Sequence, residues 1–263
     1  ISKEEAVKIV HHPNSKKELD KALTVLKYEE IFEFMFKIEH LKNLKQKEGG
    51  IQRNLDITKI DEFINNLPFK LTEDQLKAIK EISEDMMSPY RMNRLLQGDV
   101  GSGKTIVAVI SLYLNYLSGY QGALMAPTEI LAQQHYNTIT KLLPNLNIVL
   151  LTGKLKAKEK REAKELISSG KASIIIGTHA LISEDVTYQN LGLVITDEQH
   201  RFGVNQRSNL RSKGKSPDIL YMSATPIPRT YAFTLYGDMD ITSIKTMPKG
   251  RKPVKTYLKS EKQ

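Results

Sequence analysis

The chain has 263 residues, of which 40% are hydrophobic and 26% charged; this is enough for one large α/β domain with a smaller element, and the composition excludes a disordered polar chain. No apolar run reaches the roughly 18 residues of a membrane span, and the lack of cysteine excludes disulfides and thiolate metal sites, so we expect a cytoplasmic protein with no membrane role. Lys and Arg outnumber Asp and Glu by 39 to 30, and the net charge of +9 favours a polyanionic partner.

The first element that the sequence predicts is a long helix near the N-terminus. Apolar residues recur there at helical spacing, at Tyr28, Ile31, Phe32, Met35 and Phe36, and Phe34, Ile38, Leu41 and Leu44 widen the apolar face. A face this wide predicts a helix that is packed on more than one side, in a core or supporting role. The Gly49–Gly50 pair in KQKEGGIQRN then predicts a loop or linker.

From about Leu71 onward, short β-rich runs alternate with helical stretches. The six strand candidates are RLLQ, GALMA, NIVLL, ASIII, LGLVIT and DILYMS. Strands that alternate with helices predict right-handed crossovers and a parallel sheet flanked by helices. The predicted fold class is therefore α/β, and ligands are expected at the carboxyl ends of the strands.

A phosphate-binding pattern follows the first strand candidate. GDVGSGKT fits G-x-x-x-x-G-K-[ST] and is followed by an apolar helical run, so its backbone N–H groups and the helix N-terminus would surround a phosphate. The predicted nucleotide-binding residues are Gly98, Gly101, Ser102, Gly103, Lys104 and Thr105. Lys104 would reach the β- and γ-phosphates of ATP, and the Thr105 hydroxyl would bind Mg²⁺.

A pair of acids follows a later strand candidate. LGLVIT runs directly into Asp197 and Glu198, with no turn residue between them. Such a pair can simply cap a helix, but together with a complete phosphate loop it predicts catalysis. Asp197 would hold Mg²⁺, directly or through water, and Glu198 would orient and deprotonate the attacking water.

Five motifs in a fixed order resemble those of superfamily 2 helicases. They are GDVGSGKT, MAPTEILAQQH, GTHAL, DEQHRFGVNQR and MSATPIPRT. The extended DEQHRFGV and TPIPRT forms resemble most closely the RecG family of branched-DNA helicases. Transcription-repair coupling translocases, the alternative, typically carry a second acid where this chain has Gln199. The resemblance implies a RecA-like motor domain that binds ATP and one DNA strand.

The same resemblance implies roles for residues outside the phosphate loop. Thr128, Thr178 and His179 would lie near DNA phosphates, although Thr128 also fits a helix N-cap and His179 a hydrogen-bonded core residue. His200 of the acid motif, with Ser223 and Thr225 of MSATPIPRT, would form a coupling set. These residues would transmit the state of the γ-phosphate to the side of the domain that binds DNA. A buried histidine with satisfied hydrogen bonds is the other interpretation of His200.

A segment before the phosphate loop, PFKLTEDQ, resembles the adenine-reading motif of these helicases. Gln75 would read the adenine edge, and Phe69 would stack on the ring. Thr72 and Gln75 also fit a capping box, which needs no ligand, and both interpretations can hold at once. Further along, the charge run Lys154–Glu165 predicts a solvated helix face, with DNA contact as the second interpretation.

The resemblance also implies how the chain is divided. Residues 1–66 would be a helical linker before the motor, 67–245 the first RecA-like ATP-binding domain, and 246–263 the start of a link to a second RecA-like domain. Because the chain begins at Ile1 and stops after that link, we expect a fragment. The implied partners are branched DNA, such as forks and Holliday junctions, and the wedge and second RecA-like domains of the parent chain.

The predicted function is the ATP-binding half of a DNA helicase motor that uses ATP and Mg²⁺. In this family the second RecA-like domain supplies arginine fingers, so the fragment is expected to bind nucleotide and hydrolyse it poorly. Two functions of other classes stay open. A small-molecule P-loop kinase would leave MSATPIPRT unexplained, and a nucleotide-gated binding module would lack efficient hydrolysis.

Overall fold

The structure is a computed structural model, and it describes residues 1–45, 49–198, 213–224 and 239–248. These residues fall into two compact units, a first that includes residues 1–45 and a second that includes residues 49–198, 213–224 and 240–248. Within the described ranges, each helix is either too short or too polar to cross a lipid bilayer.

The first unit contains a short helix and a long one. They are α1 (Lys3–His11) and α2 (Lys16–Lys45). Lys3 joins the two, because its ammonium lies 3.3 Å from a carboxylate oxygen of Glu29 and 3.0 Å from one of Glu33. All three side chains are largely solvated, so these ion pairs contribute little to stability.

The predicted N-terminal helix is confirmed as α2, but the prediction that its apolar face is packed is wrong. Tyr28, Phe32 and Phe36 are 69%, 56% and 65% exposed, and their rings stack on one another at centroid distances of 6.2 and 6.3 Å. Among the side chains that the structure describes, the other exposed apolar ones of this face are Ile31, Phe34 and Met35, and the side chains of Ile38, Leu41 and Leu44 lie outside that description. Helical periodicity identifies which side of a helix is apolar, but it carries no information about what covers that side.

The second unit is built on a parallel sheet. Its strands are β1 (Asn93–Gly98), β2 (Gln121–Met125), β3 (Ile148–Leu151), β4 (Ile174–Gly177), β5 (Leu191–Thr196), β6 (Asp218–Ser223) and β7 (Asp240–Ile244). The spatial order is β3-β4-β2-β5-β6-β1-β7, and neighbouring strands pair in parallel. The six predicted strands and the α/β class are confirmed. β7 was missed because DITSI is short and three of its five residues are polar.

Helices cover both faces of this sheet. They are α3 (Ile57–Asn65), α4 (Glu73–Met87), α5 (Lys104–Leu117), α6 (Glu129–Leu142) and α7 (Ala157–Ser168), and a short 3-10 helix spans His179–Ile182. Along β5, Leu193 and Ile195 belong to the core that includes α4, α5 and α6, whereas Val194 belongs to the core that includes α7. This alternation explains why the strands read as continuous apolar runs.

A buried ion pair fixes the segment before α3 to the base of the sheet. Arg53 and Asp218 form an ion pair whose side chains are 0% and 1% exposed. Arg53 also donates hydrogen bonds to the Gly192 carbonyl at 2.6 Å and to Asn115 Oδ1 at 3.0 Å, and the Met92 N–H donates to Asp218 Oδ1 at 2.7 Å. Burial raises the pKa of Asp218 and the charge of Arg53 opposes that rise, so each charge depends on the other.

Candidate nucleotide and nucleic-acid site

The predicted site residues lie where the parallel strands end. β6 separates β1 from β5, with Gln97 of β1 opposite Ser223 and Thr196 of β5 opposite Tyr221. Because strands are spaced by about 4.8 Å, the phosphate loop after Gly98 and the acids after Thr196 start roughly 10 Å apart on the same edge. That separation is suited to holding the two ends of a triphosphate with its metal.

The phosphate loop has the backbone conformation that its sequence pattern requires. Gly101 and Gly103 have φ angles of +80° and +86°, a region that glycine adopts without strain. A Cβ on Gly103 would lie 2.1 Å from Nε2 of Gln75, so any other residue there would require the Gln75 amide to move. α5 begins immediately afterwards at Lys104, and its N-terminal N–H groups therefore face the loop.

Lys104 links the phosphate loop electrostatically to the acid pair. Its ammonium donates to the carbonyls of Gly98 at 2.7 Å and Asp99 at 3.1 Å. Burial lowers the pKa of Lys104, while the negative charges of Asp197, Glu198 and Asp99 act in the opposite direction. The structure therefore brings the lysine and both acids into one electrostatic environment.

The carboxylate of Asp197 is held at both of its oxygens. Oδ1 accepts a hydrogen bond from the Glu198 N–H at 3.0 Å, and Oδ2 lies 2.8 Å from Nε2 of His135. Glu198 has a φ of +53°, an uncommon value for a residue with a side chain and one that is enriched at functional sites. His135 is not among the site residues predicted from the sequence. The overlooked sign is a polar residue on the otherwise apolar buried face of α6.

A cavity of about 1280 Å³ opens beside the phosphate loop. Its lining includes four predicted nucleotide-binding residues, which are Phe69, Gln75, Gly103 and Thr105. The Phe69 ring is 49% exposed and so available for stacking. The cavity is large enough for a base and sugar next to the loop.

Gln75 connects the start of α4 to the phosphate loop. Its Oε1 accepts from the Thr72 N–H at 2.9 Å, and its own backbone N–H donates to Thr72 Oγ1 at 3.3 Å, so the predicted capping box is confirmed. The Gln75 amide nitrogen also donates to the Ser102 carbonyl at 2.8 Å. A primary amide has a second N–H and a second lone pair, so the same side chain can still pair with a base edge.

The side chains at this edge fit a magnesium-bound triphosphate. Thr105 and Asp197 offer hydroxyl and carboxylate oxygens, the donor type that Mg²⁺ prefers. Ser102 Oγ, within the loop, is buried with no hydrogen-bond partner among the described residues. The loop thus has the shape and the polar groups that an anion requires.

The residues predicted to contact DNA lie on the other half of the same edge. Thr128 follows β2 and Thr178 follows β4, and these strands are neighbours in the sheet. Thr128 caps α6 by accepting from the Leu131 N–H at 3.3 Å, so the N-cap interpretation is confirmed. His179 is exposed, and the interpretation as a core histidine is wrong. Contact of these residues with DNA stays a prediction.

Part of the predicted coupling set lies outside the described residues. This applies to His200 and Thr225. Ser223, the remaining member, is 3% exposed at the end of β6, opposite Gln97 in the strand before the phosphate loop. It therefore lies between the loop and the acid pair.

The predicted solvated helix is confirmed as the start of α7. Most side chains of the charge run Lys154–Glu165 are exposed. Lys154 pairs with Glu129 at 3.1 Å, and its N–H donates to the same carboxylate at 3.1 Å, so this lysine is tied to the start of α6. A DNA contact by this run stays a prediction.

Comparisons of the chain with family models, curated sequences and solved structures all find helicases. The family described as DEAD/DEAH box helicase matches residues 72–233. The ATP-dependent DNA helicases RecG of Streptococcus pneumoniae and Bacillus subtilis are 51% and 49% identical to the chain over 99% and 96% of its length. A solved structure of RecG bound to a three-way DNA junction superposes with a TM-score of 0.82 at 46% identity, covering 95% of this chain and 34% of that one.

More distant structures share the fold. The DEAD-box helicase Mss116 has a TM-score of 0.55 at 19% identity, covering 74% of this chain and 44% of its own. The RecG relatives are considerably longer than the chain, which spans 39% and 38% of their lengths.

Proposed function

This chain belongs to the DEAD/DEAH box helicase family, and from that premise we propose that it is the ATP-binding half of a RecG-type DNA helicase motor. In the proposed motor, ATP hydrolysis drives the remodelling of replication forks and Holliday junctions in DNA repair and recombination. The observation that supports this most is the arrangement of the sheet edge: the phosphate loop follows β1, the acids follow β5, and β6 pairs in parallel with both strands.

In the proposed reaction, Lys104 exchanges its loop carbonyls for the β- and γ-phosphate oxygens of ATP. The exchange replaces neutral acceptors by anionic ones, so each hydrogen bond from the ammonium also becomes an ion pair. It also gives a half-buried ammonium a counter-charge, which offsets the burial that lowers its pKa. Binding energy is thus concentrated on the end of the nucleotide that reacts.

The acid pair has two separate proposed tasks. Asp197 and the Thr105 hydroxyl hold Mg²⁺, which supplies positive charge to the phosphate oxygens when bound. Glu198 orients the attacking water and accepts its proton. Ser223 and the residues His200 and Thr225 would transmit the state of the γ-phosphate to the DNA side.

Adenine is proposed to occupy the cavity beside the phosphate loop. Phe69 would stack on the ring and Gln75 would pair with its edge through the amide groups that the capping box leaves available. Because Gln75 also donates to the Ser102 carbonyl, adenine binding would act on the phosphate loop directly.

DNA is proposed to cross the half of the sheet edge formed by β2 and β4. Thr128, Thr178 and His179 would contact the phosphate backbone, with support from the net charge of +9. Residues 67–245 would form the first RecA-like domain, 1–66 the segment before it, and 246–263 the start of a link. The wedge and second RecA-like domains of the parent chain would provide junction recognition and arginine fingers.

A nucleotide-binding experiment tests the proposal. The 263-residue chain should bind a fluorescent ATP analogue in the presence of Mg²⁺, and Lys104→Ala should weaken binding at least about tenfold because charge-assisted phosphate contacts are lost. Lys80→Ala is the matched control, since it removes a lysine that is 78% exposed on α4. Equal affinities for the two variants would contradict the proposal.

Hydrolysis distinguishes the motor from other P-loop proteins. Turnover by the chain alone should be low, and adding the second RecA-like domain of the parent should raise it by about 10³–10⁵, the range known for arginine fingers. Branched DNA should stimulate the joined protein. Phosphate transfer to a small metabolite would instead identify a kinase.

A further inference from the structure

A histidine outside the phosphate loop and the acid motif contacts the proposed magnesium ligand. Nε2 of His135, on α6, lies 2.8 Å from Oδ2 of Asp197, at the end of β5. The two side chains are 9% and 14% exposed, so water competes weakly for this contact. The facing ring nitrogen must carry a hydrogen, because otherwise two lone pairs would repel each other.

The position of His135 is fixed by the packing of α6. Ala132 and Ile139 lie three residues before it and four residues after it on the same helix face, and both are 0% exposed. His135 is therefore a polar residue in the middle of a buried apolar stripe. Replacing it by an apolar residue would match the helix pattern better, so packing alone does not account for an imidazole there.

The contact removes rotational freedom from the Asp197 carboxylate. The Glu198 N–H already holds Oδ1 at 3.0 Å, but a single hydrogen bond lets the carboxylate plane turn about that oxygen. The second hydrogen bond, from the His135 ring to Oδ2, fixes the plane. A metal ligand held in this way binds with less loss of side-chain entropy.

We propose that His135 is a positioning residue of the magnesium site: it orients the Asp197 carboxylate for Mg²⁺ without touching the metal or the nucleotide. The inference rests on the proposed function, in which Asp197 holds Mg²⁺. It adds a link between the proposed DNA edge, where Thr128 caps α6, and Asp197, because His135 lies about 10 Å along α6 from that cap.

The inference is tested by measuring nucleotide affinity as a function of Mg²⁺ concentration. Loss of outer hydrogen bonds to metal ligands typically weakens metal binding about 10–100-fold. His135→Phe keeps a ring but has no hydrogen-bond donor. It should raise the Mg²⁺ concentration at which the gain in nucleotide affinity is half-maximal by about 10–100-fold. His135→Gln places an amide N–H near the position of Nε2 and should restore most of the response.

Two controls separate positioning from a merely structural role. Affinity for nucleotide without Mg²⁺ should be the same in the wild type, His135→Phe and His135→Gln, since the contact acts only through Asp197. Asn137→Ala, at an exposed position of α6, should leave the Mg²⁺ response unchanged. Thermal unfolding of each variant shows whether it is folded at the assay temperature.

The outcomes are distinct. A shifted Mg²⁺ response in His135→Phe with recovery in His135→Gln supports the inference. A wild-type-like response in His135→Phe, or an equal shift in both variants, overturns it while leaving the proposed function intact. If the wild type itself binds nucleotide without any dependence on Mg²⁺, the proposed function fails and the inference fails with it.

Discussion

Replacing Gly103 by alanine should destabilise the chain through two separable effects. The first is backbone strain, because Gly103 has a φ of +86°. The second is steric, because the new Cβ would lie 2.1 Å from Nε2 of Gln75. Gln75 is only 2% exposed, and moving its amide away breaks the 2.8 Å hydrogen bond to the Ser102 carbonyl.

The two effects have different expected magnitudes. A left-handed conformation costs an alanine about 1–2 kcal/mol more than a glycine. A buried donor and acceptor left without partners cost about 1–3 kcal/mol. Gly103→Ala should therefore lower the free energy of unfolding by about 2–5 kcal/mol, the sum of these terms.

Urea denaturation followed by circular dichroism measures this loss, and the chain contains a matched control. Gly119 has a φ of +85° with no atom within 4 Å of its would-be Cβ, so Gly119→Ala reports the strain alone. Adding Gln75→Ala to Gly103→Ala removes the clash, and the double variant should be more stable than the sum of the single effects indicates. An equal loss for the two glycine variants, together with additive effects of Gln75→Ala, would refute this reasoning.

Three further predictions concern the ion pair, the segment after β7 and DNA binding. Asp218→Asn should lower the free energy of unfolding by about 3–5 kcal/mol, because Arg53 keeps a buried charge without its counter-charge; a loss below about 1 kcal/mol in urea denaturation would contradict this. Hydrogen bonds from the N–H groups of Thr246 and Lys245 lower the pKa of Asp74 below its ordinary value of 3.8. The stability that Asp74 contributes should therefore be complete above pH 3.8 and be lost as the pH falls through the lowered pKa. The difference in the free energy of unfolding between the wild type and Asp74→Ala should accordingly disappear in acid and persist in base. DNA affinity should fall linearly on a log–log plot against salt concentration and be independent of base sequence, and a flat salt response in fluorescence anisotropy would exclude backbone binding.

Local patterns predicted much of the fold and the loop chemistry. The strands were recognisable because both of their faces are buried, as Leu193 and Val194 show on opposite sides of β5. The phosphate loop was recognisable because its conformation is set by neighbouring residues, glycines among them. The exposed face of α2 was misjudged because periodicity identifies an apolar side without its partner.

The sequence by itself determined the succession of six strands with helices along the chain, the phosphate loop and the position of the acids at a strand end, because each depends on residues close together in the chain. Only the tertiary structure decided which distant side chains meet. Gln75 and Ser102 are 27 residues apart, His135 and Asp197 are 62 apart, and Arg53 and Asp218 are 165 apart. Such contacts follow from the strand order and from helix packing across the sheet, and neither is encoded in any local pattern of residues.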